Sequence, residues 1–285
     1  MRYHTTHVTQ YRYQESVAQC LTEARVTPRT FPGQQLIYTN IDVNPAPASL
    51  ERRRDYFGNE VAAFSVFHAH DRFTVKAESI VEVTRDTPKP PPIAWEDACA
   101  NLAEHSDNAS LEAYEFVFDS PYVTGFSALT DYARPSFPPN RPLAEAAVDL
   151  SHRIHADFRY RPSSTSIDMP LREVLSLRQG VCQDFAHIMV GALRSHRLAA
   201  RYVSGYLRSG KQYLGAEASH AWVAVFIPGH GWLDLDPTNN VLPTDGHVTL
   251  AWGRDYGDVP PVKGISLGGG GQTVDVEVLV EPAST

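Results

Sequence analysis

The sequence predicts an α+β protein with a β-rich N-terminal module and a mixed second part. Three patterns carry that reading: period-2 runs such as FTVKAESIVEVT before residue 86, amphipathic helical spacing between residues 143 and 194, and apolar strand-length runs between 200 and 235. A chain of 285 residues is long for one compact domain and fits a core with an appended module. Its apolar fraction of 42% and charged fraction of 20% lie near globular averages, which excludes a disordered or fibrous class.

Residues 1–86 alternate strand patterns with the turn signals NPAPAS and DYFGNE, and several antiparallel strands are expected. TPKPPP at 87–92 cannot continue a strand or enter a helix interior, so it reads as the linker to a second domain over 93–267. That domain begins with weak helical spacing from Ala94 to Leu111. Leu143, Ala147, Leu150, Ile154 and Phe158 then recur on one helical face behind Pro142. Pro170 starts a short helix, and Gly180 is expected to end it. The next helix opens at Cys182, with Ala186, Met189 and Leu193 following on the same stripe. ARYVSGYL, SHAWVAVFI and GWLDLDP read as strands, the last two joined as an antiparallel hairpin at PGHG. Residues 268–285 form a glycine-rich connection and a closing strand, TVDVEVLV, that should pair with one of the sheets.

Several function classes lack support. The net charge of −8 contains one basic cluster, Arg52–Arg54, too little for nucleic acid binding. No stretch of about 18 apolar residues occurs and MRYHTTHVTQ has no signal-like apolar region, so no membrane span is expected and a cytoplasmic location is. Cys20, Cys99 and Cys182 are far apart with no CxxC pair, which argues against disulfides and a thiolate zinc site. His68 and His70 would share a strand face, but nothing at ligand spacing completes a metal site with Asp71. No phosphate-cradling glycine motif is present either, so no metal or cofactor is expected.

Chemistry concentrates on Cys182. A catalytic cysteine acts as thiolate, and a helix N-terminus beside a histidine favours that form. Cys182 has the helix position, and its first-turn N–H is available to a developing oxyanion. The hairpin supplies the partners. If Pro228, Gly229 and His230 form a three-residue loop, opposed residue numbers sum to 458, which sets Asp236 opposite Trp222 and diagonal to His220 on one face. A five-residue loop would oppose Asp236 and His220 directly, whereas a two-residue loop would put them on opposite faces. His220 would then exchange the thiol proton and Asp236 would orient the imidazole. Asp234 shares Asp236's face and competes for that role, but Asp236 ends its strand beside the start of His220's. His187 lies about 140° round the helix from Cys182 and is not the base on this geometry.

The motifs GVCQDFAHIMVGALRSHRLAARYVSGYL, ASHAWVAVFIPGHGWLDLDPTNN and GRDYGDVPPVKGISLGG resemble bacterial members of the transglutaminase-like superfamily, related to cysteine proteases. YRYQESVAQCLTEARVTPR and DYFGNEVAAFSV are similar to the β-domain that precedes that core in such proteins. The resemblance implies a papain-like core, a helix carrying Cys packed on an antiparallel sheet carrying His and Asp, behind a β-sandwich-like domain. It also implies Cys182, His220 and Asp236 as the triad, because the family's acid directly precedes Pro-Thr. Gly180, Asp184 and Phe185 match the pattern around the nucleophile and look structural. Animal cross-linking enzymes carry Trp directly after the nucleophile, and this chain has Gln183 instead. Tyr160 and Trp222 are aromatic neighbours of the motifs, with Tyr160 a weak candidate oxyanion donor. The expected activity is hydrolysis of a peptide or amide through a thioester, with acyl transfer to an amine as the alternative. A non-catalytic binding protein is a third reading.

Overall fold

The computed structural model describes residues 1–85, 89–105, 107–162 and 169–283. Thr87 and Pro88 of the expected linker, and the last two residues of the closing segment, lie outside that set. Residues 89–92 run without helix or strand.

A single long strand organises the N-terminal part. β1 (Arg2–Ala24) alternates buried Tyr3, Thr5, His7 and Thr9 with more exposed neighbours, then breaks register between Arg12 and Val17. Around it run β2 (Gln34–Asn44), β3 (Ser49–Arg54), β4 (Glu60–Val66) and β5 (His70–Val83), in the order β2-β5-β1-β4-β3. The first half of β1 pairs with β5 and the second half with β4. The register break lets one strand serve two layers. Val17, Cys20 and Phe64 from one layer meet Phe73, Val75 and Ala77 from the other in a common apolar core.

The second part begins with α1 (Trp95–Ala103) and α2 (Asn108–Tyr114), the latter capped by Asp107, which accepts from the Ser110 N–H at 2.6 Å. α3 (Ser127–Ala133) and α4 (Leu143–Asp157) follow. β6 (Arg159–Tyr160), α5 (Leu171–Leu177) and β7 (Gln179–Gly180) lead into α6 (Cys182–Arg194). The helix that starts after Pro170 does not run to Gly180. It stops at Leu177 because Arg178 turns left-handed, φ +52°, and Gln179–Gly180 leaves to pair in parallel with Arg159–Tyr160. That two-residue ladder sets Tyr160 beside the start of α6.

β8 (Ala200–Leu207), β9 (His220–Ile227), β10 (Gly231–Leu235) and β11 (His247–Gly253) form an antiparallel sheet in the order β10-β9-β8-β11. One face buries Ala221, Val223, Val225 and Ile227 against Ile188, Met189 and Leu193 of α6. The opposite face carries His220, Trp222, Arg201 and Trp232. β11, absent from the sequence-based reading, is an edge strand, and its outer backbone groups are met by amide side chains of the N-terminal module. Thr249 donates to Gln34 Oε1 at 2.8 Å and accepts from Gln34 Nε2 at 2.7 Å, and Trp252 exchanges a like pair with Asn59 at 3.0 and 2.9 Å. Two amides thus act as the missing neighbour strand.

The chain finally returns to the first sheet. β12 (Val262–Gly268) and β13 (Gln272–Pro282) both pair antiparallel with β1, so the return starts at Val262, ahead of the glycine run that sequence marked as the connection. TVDVEVLV thus pairs with the N-terminal sheet.

Gly205 in β8 faces His220, and a Cβ there would collide with the Trp222 indole and the Val248 carbonyl. The missing side chain is what lets Trp222 lie across β8. Gly205→Ala is expected to cost about 1–3 kcal/mol through overpacking. Urea unfolding measures it as a lower midpoint at unchanged slope; an unchanged midpoint would refute the packing.

Candidate active site

The turn before α6 is built to present Cys182. Val181 is extended, and its N–H donates to Asp184 Oδ2 at 2.8 Å, which pins the strand-to-helix turn. A Cβ on Gly180 would lie 2.5 Å from that same oxygen, so only glycine admits the carboxylate here. Cys182 is half-buried at the first helical position, where its N–H has no intrahelical acceptor. Burial raises the pKa of the other two thiols, that of Cys99 to about 11.

The hairpin adopts the three-residue loop. Gly231 opposes Ile227 and Asp234 opposes Ala224, the 458 register. Asp236, one residue beyond β10, reaches diagonally to His220, with Nε2 to Oδ2 at 2.9 Å and both side chains fully buried. Asp236 Oδ1 accepts from the N–H groups of Thr238 and Asn239 at 3.0 and 3.1 Å, and Asn239 Nδ2 donates to Oδ2 at 2.9 Å. Asp234 instead pairs with Arg85 at 2.9 Å.

Burial alone would raise the Asp236 pKa, but His220 and then His247 outweigh it and hold the carboxyl below its usual range. An ionised carboxylate only accepts, so the Nε2 of His220 must carry a proton. For His220, burial pulls the pKa down. The charge of Asp236, the charge of Cys182 and hydrogen bonding to both overturn it, and the net direction is up. The stability gained from this pair is therefore complete below the ordinary histidine pKa and is lost as pH rises through the raised one.

Nδ1 of His220 is buried, with no partner in hydrogen-bond geometry among the described residues, even though Cys182 acts on the ring's titration. The thiol lies close enough to act on the ring by charge and hydrogen bonding, with Nδ1, the nitrogen that Asp236 leaves over, outside strict hydrogen-bond geometry. Gly215, φ +81°, lines the same space. A Cβ on it would stand 3.4 Å from His220 Nδ1 and 3.2 Å from the Tyr160 hydroxyl. Burial, then the Cys182 charge, pushes the Tyr160 phenol up to about 12, so Tyr160 is a neutral donor beside the sulfur. His187 is elsewhere, its Nε2 accepting from the Tyr256 N–H at 3.1 Å. Trp222 stacks on His220 with ring centroids 6.2 Å apart.

Sequence reasoning missed His247 and Asn239. His247 opens β11, is fully buried, and its Nε2 stands 3.1 Å from Asp236 Oδ2. Burial lowers its pKa, so it is neutral, with the proton on Nε2 where the carboxylate requires it. The alternation of HVTLAWG could have marked the strand, but not the carboxylate that its histidine meets.

Two family models match the chain: a bacterial transglutaminase-like N-terminal region over residues 3–82, and the transglutaminase-like superfamily over residues 131–237. The chain belongs to the transglutaminase-like superfamily. An uncharacterized Mycobacterium tuberculosis protein is 40% identical over 296 residues, covering 99% of this chain and 93% of its own. A protein-glutamine gamma-glutamyltransferase of Pseudomonas aeruginosa is 34% identical over 111 residues, covering 36% of this chain and 17% of that one. Among solved structures, a candidate cysteine protease from Cytophaga hutchinsonii superposes with a TM-score of 0.77 at 19% identity, over 100% of this chain and 92% of that one. This likeness shows the shared fold. The superfamily match ends at residue 237, so His247 lies outside it.

Removing one donor from a buried carboxylate leaves its charge less compensated. His247→Phe is expected to lower stability by about 1–3 kcal/mol at neutral pH, read from urea unfolding, and the deficit should shrink in Asp236→Asn. An equal deficit in both backgrounds would separate His247 from the carboxylate.

Proposed function

We propose that the protein is a cysteine-dependent amide or peptide hydrolase working through a thioester on Cys182. The observation that carries the reading is the His220 ring, fixed through Nε2 by a buried Asp236 so that Nδ1 is left for the thiol. With the His220 pKa raised, an imidazolium stands next to the sulfur, and such a charge favours a thiolate.

Thiolate attack on the substrate carbonyl forms the carbon–sulfur bond and moves the carbonyl electrons onto oxygen. The Cys182 N–H, in the first turn of α6, is positioned as a donor to that oxyanion, with the Tyr160 hydroxyl as a second candidate. Collapse breaks the carbon–nitrogen bond, and the amine leaves with the proton from His220 Nδ1. In the second half His220, now neutral, takes a proton from water, which attacks the thioester, and the thiolate departs. Asp236 stays ionised throughout and keeps the imidazole in one tautomer.

An amine in place of that water would give acyl transfer. The partial likeness to a protein-glutamine gamma-glutamyltransferase favours keeping this second reading. A binding protein that retains the fold without turnover would need none of the activated chemistry.

Intact-mass measurement of iodoacetamide labelling near pH 6 tests the reading. Labelling at Cys182 is expected to be at least about tenfold faster than that of a peptide thiol of ordinary pKa, about 8.5, to vanish in Cys182→Ala and to slow in His220→Ala. A rate no faster than the peptide thiol would remove the activated nucleophile. Ammonia or amine release without uptake of a labelled primary amine supports hydrolysis, and uptake supports transfer.

A further inference from the structure

The sheet face that ends in His220 and Asp236 continues, at its other end, into a cavity of about 1140 Å³ between the core and the N-terminal module. Its lining includes Arg29 and Arg85 from the module and Arg201, Trp232, Asp234 and Trp252 from the sheet. Arg201 projects from the start of β8, is nine-tenths buried, and makes no hydrogen bond or ion pair with any described residue. Its guanidinium carbon stacks 3.8 Å from the Trp252 ring and 4.2 Å from the Trp232 ring. Arg29 also stacks on Trp252, at 3.5 Å.

Stacking alone does not explain these cations. Another buried arginine of the same chain, Arg194, gives the comparison. It donates from Nε to the Phe116 carbonyl at 2.9 Å, from Nη1 to Ser120 Oγ at 3.1 Å and from Nη2 to the carbonyls of Ala200 and Arg254 at 2.8 and 2.6 Å. Structural burial of a guanidinium calls for that kind of satisfaction. In the cavity, Arg29 donates to the Phe57 carbonyl and Asn59 Oδ1, and Arg85 to Asp234 and Thr249 Oγ1, whereas Arg201 makes no such bond with a described residue and its Nε is buried without a partner. Asp234 acts on Arg201 by charge but is already held by Arg85 at 2.9 Å. Glu112, exposed, and Glu115, half-buried, belong to the helical wall and do not reach Arg201 as ion pairs. Burial pulls the Arg201 pKa down to about 9, against the support of Asp234.

We propose that this cavity binds a small organic oxyanion, a carboxylate or phosphate on an apolar body, which Arg201 and its neighbouring arginines pair and the aromatic lining packs. A planar guanidinium fork matches both oxyanions with two parallel hydrogen bonds. The buried, unpaired Arg201 guanidinium favours an anion, and the tryptophan and phenylalanine surfaces favour a ligand with an apolar part over a bare ion. The site does not depend on the cysteine chemistry.

The test is calorimetric titration of the intact protein with phenyl phosphate and with benzoate, at fixed ionic strength, beside the neutral benzyl alcohol. Tryptophan fluorescence gives a second readout, because Trp232 and Trp252 line the site. Saturable binding of either anion but not of the alcohol is expected, and the preferred anion separates phosphate from carboxylate ligands. Arg201→Lys should weaken binding about tenfold, about 1.4 kcal/mol; Arg201→Met should abolish it, and Cys182→Ala should leave it unchanged. If Arg201→Met fails to fold by circular dichroism, Arg201→Lys carries the comparison. No saturable signal from either anion, equal binding of benzyl alcohol, or undiminished affinity in the Arg201 variants would overturn the proposal.

Discussion

Asp236 is a carboxylate with no access to water, and much of the surrounding structure serves to keep it charged. An isolated buried carboxylate would take up a proton, because desolvation penalises the anion. Here its two oxygens accept from the N–H groups of Thr238 and Asn239, the Asn239 amide, and both histidines. The hairpin register and the course of β11, which delivers His247, meet that demand, and the bond to Nε2 leaves the Nδ1 of His220 on the other side of the ring. Gly205 belongs to the same requirement, because it makes room for the indole that stacks on His220.

Two aspartates two residues apart have been given opposite surroundings. Asp236 lies among histidines and backbone donors at the closed end of the sheet face, whereas Asp234 answers an arginine that reaches across from the N-terminal module. Arg85 also approaches the Trp222 ring at 5.9 Å, so the indole that backs His220 stands between the two ends of the face. The N-terminal module therefore does more than precede the core. Through Gln34 and Asn59 it completes the edge of β11, and through residues that include Arg29 and Arg85 it supplies part of the wall of the arginine-lined cavity.

Much of the site was legible because it depends on local rules. Period-2 alternation brings His220 and Asp236 to one face if the hairpin loop is odd, and of the loop lengths that the sequence left open the three-residue one is observed. Geometry alone left Asp234 as a rival, since both aspartates share that face; what separates them is Arg85, far away in sequence. His247 was illegible for the same reason. It arrives on β11, an edge strand whose position is set by side-chain amides of a distant module, and a lone histidine in HVTLAWG carries no mark of its partner. Arg201 sits inside ARYVSGYL, which reads as a buried strand, and only the assembled sheet reveals a cation with no ion pair among the described residues. The helix after Pro170 was read too long because Arg178 adopts a left-handed conformation that its residue type does not announce.

The account turns on His220 being held protonated by Asp236 beside the sulfur. Nitrogen-15 NMR of the histidine rings across pH tests this most directly, with Asp236→Asn as the reference. His220 is expected to keep both ring protons through neutral pH and to titrate above the ordinary value of about 6.5, with the Nε2 proton in a strong hydrogen bond and the titration shifted down in Asp236→Asn. Titration at or below the ordinary value in the wild-type protein, or no shift in Asp236→Asn, would contradict it.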